Sequence, residues 1–329
     1  MVLVVLIVIC ALAFDFINGF HDTANSIATV VSTRVLAPRT AILMSASLNF
    51  AGALCFTQVA ETIAKGLVSG ATQPVILAAI AGAIVWNLIT WYFGIPSSSS
   101  HALVGGLMGA AWAHAGTKAI LWTGVRTKVL VPLVASPVAG LIVGFIIMAT
   151  IMALFANRPA GTTGKLFRAL QVFSSAFMSF AHGSNDAQKS MGIITLAVVS
   201  YSGHNLAHAP IPLWVKLACA IAMALGTSIG GWRIIKTMGH RIIRLEPVHG
   251  FAAECTASLI ILYATLTGQT VSTTHVISGS IFGVGSAKRI SAVRWQVAVN
   301  MVMAWILTMP AAGIVAALCY QGLHLLGVR

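Results

Sequence analysis

Long stretches of uninterrupted apolar sequence, at 2–14, 41–60, 75–94, 129–156, 212–231, 251–267 and 296–320, constrain this chain more than any other feature. Most approach the roughly 20 residues that an α-helix needs to cross a hydrocarbon core ~30 Å thick. They are continuous rather than alternating, which argues against a transmembrane barrel. Only 8% of the residues are charged, whereas a soluble domain carries about 25%. The expected fold class is an all-α polytopic membrane protein. The opening MVLVVLIVICALAF has no basic segment ahead of it and no small-residue cleavage pattern before Asp15. It is expected to persist as a first helix rather than act as a removable leader.

A formal net charge of +13 raises the question of nucleic acid, and the positions of the charges answer it. The basic residues cluster between apolar runs: Arg158, Lys165 and Arg168, then Arg233, Lys236, Arg241 and Arg244. That is the pattern of cytoplasm-facing loops, and residues 233–247 are expected on the cytoplasmic side. No aromatic residues interleave with the charges to stack bases, so nucleic acid is excluded as a partner. The cysteines, Cys10, Cys55, Cys219, Cys255 and Cys319, are scattered in apolar sequence without a C-x-x-C. They read as small hydrophobes, and no metal or cofactor is expected.

The chain repeats itself. FINGFHDTANS aligns with FAHGSNDAQKS, matching Phe16, Gly19, Asp22 and Ser26 with Phe180, Gly183, Asp186 and Ser190. GIPSSSSHALVGGLMG aligns with GQTVSTTHVISGSIFG, matching Gly94, Ser98, His101, Gly105 and Gly109 with Gly268, Ser272, His275, Gly279 and Gly283. The order is the same in both halves, and the difference in spacing fits an insertion near 202–212. The expected organisation is a first half over 1–155, a linker loop over 156–168 and a second half over 169–329. Duplicated halves in a membrane protein point to a transporter with its site between the repeats. The relative orientation of the halves is not legible at this level.

In each hydroxyl-rich motif, polar residues interrupt apolar sequence just before a Gly-spaced segment. Each reads as a turn leading into a short half-helix. The free N–H groups and the dipole of a helix start can bind an anion, although Ser and Thr there can also be simple caps. His101 and His275 at the helix starts could donate to an oxyanion, carry a proton, or bond a neighbouring carbonyl. The Gly105–Gly109 and Gly279–Gly283 rows read as close helix packing.

A carboxylate at the centre of a spanning helix costs at least ~2.5 kcal/mol and marks ion or proton paths. Asp22 and Asp186 lie among Gly, Asn, Thr, Ser and Gln, so both helices are expected to be broken there. Glu254 is a further buried acid able to carry a proton or cation; Asp15 is a weaker candidate. Carboxylates and an oxyanion sharing a cavity repel one another by ~4 kcal/mol per pair at 4 Å and an effective dielectric of ~20. Joint occupancy therefore requires protons or cations. The aspartates would make anion binding depend on the coupling ion.

At these residues the chain resembles the inorganic phosphate transporter (Pit) family, through GFHDTANS, HGSNDAQKS, IPSSSSHALVGG and TVSTTHVISG, with VAETIAKGLV and GFAAE in addition. The resemblance implies two inverted repeats with broken helices and re-entrant hairpins, about 10–12 membrane segments in all, around a central phosphate site. It implies phosphate ligation by the hydroxyls of Ser98, Ser99, Ser100, Ser272, Thr273 and Thr274; with Ser97 and the helix-start histidines His101 and His275, these are the candidate substrate-binding residues. It makes Asp22 and Asp186 the motif acids and Asn25 an ion or phosphate neighbour; with Asn185, Lys189 and the buried Glu254 these are the candidate coupling residues. Sodium-coupled members tend to carry N-D-x-x-N in both motifs and Glu where Asn49 stands. Here His21 and Lys189 replace two of those Asn residues. An ammonium can occupy a cation's place, which favours protons over sodium.

The expected function is secondary import of inorganic phosphate with protons across the inner membrane of the cell. Sodium coupling and a metal–phosphate or other oxyanion cargo are the alternatives. The implied partners are phosphate, protons (or Na⁺), the lipid bilayer and a second copy of the chain in a homodimer. An intramembrane serine hydrolase using Ser98 or Ser100 with a histidine is a remote reading: Ser100 and His101 are adjacent, and no G-x-S-x-G elbow is present. The chain is not expected to be an enzyme.

Overall fold

The computed structural model describes residues 1–202 and 211–328. Its helices are α1 (Val2–Ser32), α2 (Pro38–Cys55), α3 (Gln58–Lys65), α4 (Gln73–Phe93), α5 (Ser99–Ala115), α6 (Trp122–Val125) and α7 (Val131–Phe155). The second half holds α8 (Ala160–Asp186), α9 (Gln188–Ser202), α10 (Leu213–Ile229), α11 (Trp232–Lys236), α12 (Pro247–Leu266), α13 (Thr273–Lys288) and α14 (Trp295–Leu325). No strand occurs among the described residues; a single bridge joins Val68 and Ile120.

The protein is a multi-pass helical membrane protein. By length and composition, five described helices can cross a bilayer: α1, α4, the continuous α6–α7 segment, α12 and α14. Two bent pairs raise this to seven, α2 with α3 at 68° and α10 with α11 at 60°. The other expected membrane segments are too short to qualify, at 17, 15 and 16 residues for α5, α9 and α13. α8 is 27 residues long, but Gln171, its serines, His182 and Asn185 leave it too polar.

The halves are inverted, and their contacts show it. Thr33 of α1 bonds Gln171 of α8, Ser26 accepts from Ser175, and Asn18 meets Asp186. Residue numbers fall along α1 as they rise along α8, so the two motif helices run antiparallel. The halves also interleave. α5 packs along α14 from the other half, and α13 along α7. The glycine rows sit at these crossings. A Cβ on Gly105 would lie 2.7 Å from Met309 Cα, and one on Gly279 would lie 2.9 Å from Pro137 Cα. Only hydrogen at these positions lets the backbones approach so closely.

Two hairpins turn inside the protein. α4 ends at Gly94 (φ 65°) and α12 is followed by Gly268 (φ 64°), a left-handed conformation that glycine adopts at little cost. The following segments carry Ser97, Thr270 and Ser272, all buried. Apolar clusters lie on either side of this level. Along α1 the first gathers Ile7, Ala11 and Phe14, and the second gathers Ala24, Ile27, Ala28 and Val30. Asp15, Asn18 and Asp22 fall between them.

The structure departs from the sequence reading in two places. The first motif does not break its helix: α1 is continuous through Asp22. Its polar side chains find partners on neighbouring helices or, for Thr23, on the Gly19 carbonyl, so the backbone ladder survives. In the second motif α8 ends at Asp186 and α9 restarts at Gln188. The linker expected over 156–168 is non-helical only over 156–159. α8 starts directly after Pro159, since nothing in AGTTGKLFR is strong enough to stop it. The insertion expected near 202–212 falls largely on residues 203–210, outside the described residues.

Candidate functional site

The two hydroxyl motifs are helix starts, as their composition suggests. Ser98 caps α5 by accepting the His101 N–H at 3.1 Å, and Ser272 caps α13 by accepting the His275 N–H at 3.2 Å. The tips meet. Ser100 Oγ donates to the Val271 carbonyl at 3.0 Å, and the His101 and His275 rings are 4.8 Å apart. Trp305 stacks on His275 at 4.0 Å and donates to the Pro96 carbonyl. Two positive dipole ends, each about half a charge, therefore converge in the interior.

The motif aspartates touch these tips. Ser99 Oγ donates to Asp22 Oδ2 at 2.6 Å, and Thr273 Oγ1 approaches Asp186 Oδ2 at 3.4 Å. The arrangement repeats the symmetry of the sequence, because Ser99 and Thr273 are equivalent in the two hairpins. Asn25 crosses between halves, donating to Thr273 at 3.1 Å and Thr274 at 2.9 Å. Ser97 donates to Thr90 at 2.8 Å. Every one of these residues is buried.

The cationic side is less symmetrical. His21 Nδ1 lies 2.7 Å from Asp22 Oδ1, and its Nε2 reaches Thr90 at 3.1 Å. Lys189 Nζ lies 2.6 Å from Asp186 Oδ1, with both side chains at 0% exposure. His182 Nε2 is 3.5 Å from Asp186 Oδ2, and Asn18 donates to the same oxygen at 3.5 Å. Ligand atoms of Asp22, His182 and Asp186 all lie within 4.8 Å of one another, a grouping capable of holding a cation. Asn49 donates to Thr227 and Ser45, and its carbonyl faces His182 at 3.0 Å.

The profile of the phosphate transporter family matches this chain twice, over residues 18–163 and 155–316. The chain belongs to the phosphate transporter family. A Bacillus subtilis (strain 168) protein named "Probable low-affinity inorganic phosphate transporter" is 50% identical over 330 residues, covering 99% of this chain and 98% of its own length. A Rhizobium meliloti (strain 1021) protein of the same name is 48% identical over 321 residues, covering 97% and 96%. A solved structure described as "The sodium-dependent phosphate transporter" superposes with a TM-score of 0.89 at 25% identity, covering 99% of this chain and all of that one. Family and fold make the chain a transporter, not an enzyme.

Not all the residues singled out in the sequence reach the centre of this family fold. Asn185 turns away to donate to Thr265 on α12 at 3.0 Å. Glu254 forms a separate buried cluster, accepting from Thr29, from Ser174 and, at 3.3 Å, from Gln171. Thr29 is two helical turns, ~10.5 Å, beyond Asp22 on α1. Sequence reasoning missed His182, Thr90 and Asn18. His182 stood in plain view in FAHGSND, four residues before Asp186, a spacing that puts both on one helix face. Nothing in the sequence of α4 distinguishes Thr90.

Proposed function

We propose that the chain imports inorganic phosphate across the inner membrane by symport with protons. The converging helix starts supply backbone N–H groups and the hydroxyls of Ser98, Ser99, Ser272 and Thr273 to a tetrahedral oxyanion. Ser98 and Ser272 accept with their oxygen when capping, which leaves each hydroxyl hydrogen to donate. Ser99 and Thr273 lie between anion and acid. When Asp22 takes a proton it no longer demands the Ser99 hydrogen bond as strongly, and the hydroxyl is released to the substrate. Anion binding and protonation thus favour each other through one side chain. The proton also offsets the ~2.3 kcal/mol per charge per 100 mV that opposes anion uptake into a negative cell.

The observation that carries protons over sodium is the 2.6 Å approach of Lys189 Nζ to Asp186. A sodium ion ~4 Å from that ammonium would meet ~4 kcal/mol of repulsion at an effective dielectric of ~20. That is about a thousandfold in affinity. Sodium coupling is the second reading. It is favoured by the Asp22–His182–Asp186 grouping and by the description of the solved relative as sodium-dependent. The deciding measurement is [³²P]phosphate uptake into proteoliposomes, with a pH gradient or a sodium gradient imposed separately. Uptake should follow an inside-alkaline pH gradient in sodium-free buffer. Uptake that follows sodium and ignores pH would refute proton coupling.

A further inference from the structure

The polar layer continues past Asn25 on one side only. Asn25, Thr29 and Thr33 follow at one-turn intervals along α1, all buried. Thr29 donates to Glu254, which also accepts from Ser174 and Gln171, and Gln171 accepts from Thr33 at 2.8 Å. In the register of the internal repeat, Thr29 and Thr33 correspond to Ile193 and Ala197. Gln171 and Ser174 correspond to Ile7 and Cys10, and Glu254 to Ile80. These counterparts are apolar and belong to, or pack against, the first apolar cluster. Of the two symmetry-related routes out of the centre, one is lined with hydroxyls, an amide and a carboxyl, and the other with hydrocarbon.

The polar route ends in a cavity of about 460 Å³ whose polar lining is Ser32, Thr33, Arg34, Arg244 and Arg294, with Gly239, Ile243 and Leu245 beside them. Three arginines line it, and no acid does. Arg34 holds φ 55° at the end of α1. Glycine or asparagine would take this left-handed position with less strain, so an arginine there points to a use for its side chain. The buried Ser32 hydroxyl has no hydrogen-bond partner among the described residues. It faces Gly239, where any Cβ would collide with it. Guanidinium forks match the oxygens of a phosphate, and three arginines line one cavity without an acid to pair them.

We propose that this cavity is a second oxyanion site, a vestibule in which free inorganic phosphate docks between the Arg-rich face and the central tips. The proposal rests on the phosphate-transport reading. It explains why the polar track and the arginines lie on the same side. A cleft lined by one sign of charge raises local anion concentration and association rates by about 10–10³-fold. This advantage fades as salt shortens the Debye length to about 3 Å at 1 M.

The test is [³²P]phosphate transport by the full chain in phosphatidylcholine proteoliposomes sorted to one orientation, with phosphate added to either face. At low ionic strength, Arg244→Gln/Arg294→Gln should raise the KM for phosphate on the Arg-rich face about tenfold. The KM on the other face and the maximal rate should stay unchanged. In high salt the wild type should fall to the level of the variant. Arg34→Gly, which removes charge while suiting the backbone, should act in the same direction if the double variant fails to fold. Equal KM values for wild type and variants on the Arg-rich face would overturn the vestibule. So would an effect seen only when anionic phosphatidylglycerol is present, since a lipid headgroup would then be the occupant. Absence of phosphate uptake by the wild type would instead sink the transport reading itself.

Discussion

Replacing Lys189 by Asn should convert the coupling ion. In the wild type the ammonium lies 2.6 Å from Asp186 and both groups are fully buried. Removing one member of a buried pair costs about 3–5 kcal/mol, because the other charge is stranded. The donors left to Asp186 are all long: Thr273 at 3.4 Å, Asn18 at 3.5 Å and His182 at 3.5 Å. The carboxylate then needs a proton or a cation. Loss of Lys189 also removes the ~4 kcal/mol that opposed a sodium ion ~4 Å away, about three decades of affinity at 1.4 kcal/mol each. The K189N variant should therefore melt at a lower temperature without sodium, recover on adding it, and take up phosphate faster in a sodium gradient. Thermal unfolding in detergent and [³²P]phosphate uptake in proteoliposomes measure both effects. A variant that keeps full uptake on a pH gradient alone, with neither rate nor melting temperature responding to sodium, would refute the reasoning. Lys189→Met with Asp186→Asn should melt near the wild type while transporting poorly, since both charges of the pair are then gone.

Two further predictions concern the tips and their supports. Ser99→Ala deletes a hydroxyl that bonds Asp22 and, on the proposed mechanism, is released to the charged substrate; a hydrogen bond to a charged group contributes about 1.5–3 kcal/mol, so kcat/KM for phosphate should fall roughly ten- to a hundredfold, and an unchanged value in an uptake titration would remove Ser99 from the site. Gly279→Val places a side chain against the Pro137 backbone, which has no room to give, and overpacking of this kind costs about 1–3 kcal/mol; the melting temperature should drop, whereas Gly322→Ala, where a Cβ meets open space, should leave it unchanged.

What was legible in the sequence was whatever leaves a compositional trace. The spans announce themselves by length and hydropathy. The hairpins announce themselves by hydroxyls between apolar runs, with Pro96 in the first, and the close crossings by glycines one turn apart. Prediction failed where a tertiary partner overrides a local preference. Asn18, Gly19 and Asp22 look like a helix breaker, but α10 and α8 supply contacts for Gly19 and Asn18, and Ser99 bonds Asp22. The ladder therefore holds and α1 stays whole. Asn185 and Asp186 are neighbours in the motif yet face different helices, a divergence fixed by helix rotation rather than residue type. Thr90 was illegible for the same reason: a hydroxyl on an apolar span acquires meaning only when His21 from another helix reaches it.

The halves are alike where an anion would be held and unlike where charge is balanced. Ser98 and Ser272 cap their helices in the same way, and Ser99 and Thr273 each approach a motif aspartate. By contrast, Asn25 bridges to the opposite tip while its counterpart Lys189 turns back onto Asp186. This division follows from what an inverted repeat must do. If the halves exchange roles as the site opens first to one side and then to the other, ligands for the substrate must be equivalent, or affinity would be lost at each exchange. Charge compensation is under no such demand. With one lysine for two aspartates, one acid is paired without an ion, and under the proposed proton coupling the other, beside His21, is the one left to take the proton. A second lysine at the Asn25 position would compensate both acids, and no carboxylate would remain to make anion binding depend on pH. On that proposal, the asymmetry is what would allow a symmetric anion site to be driven.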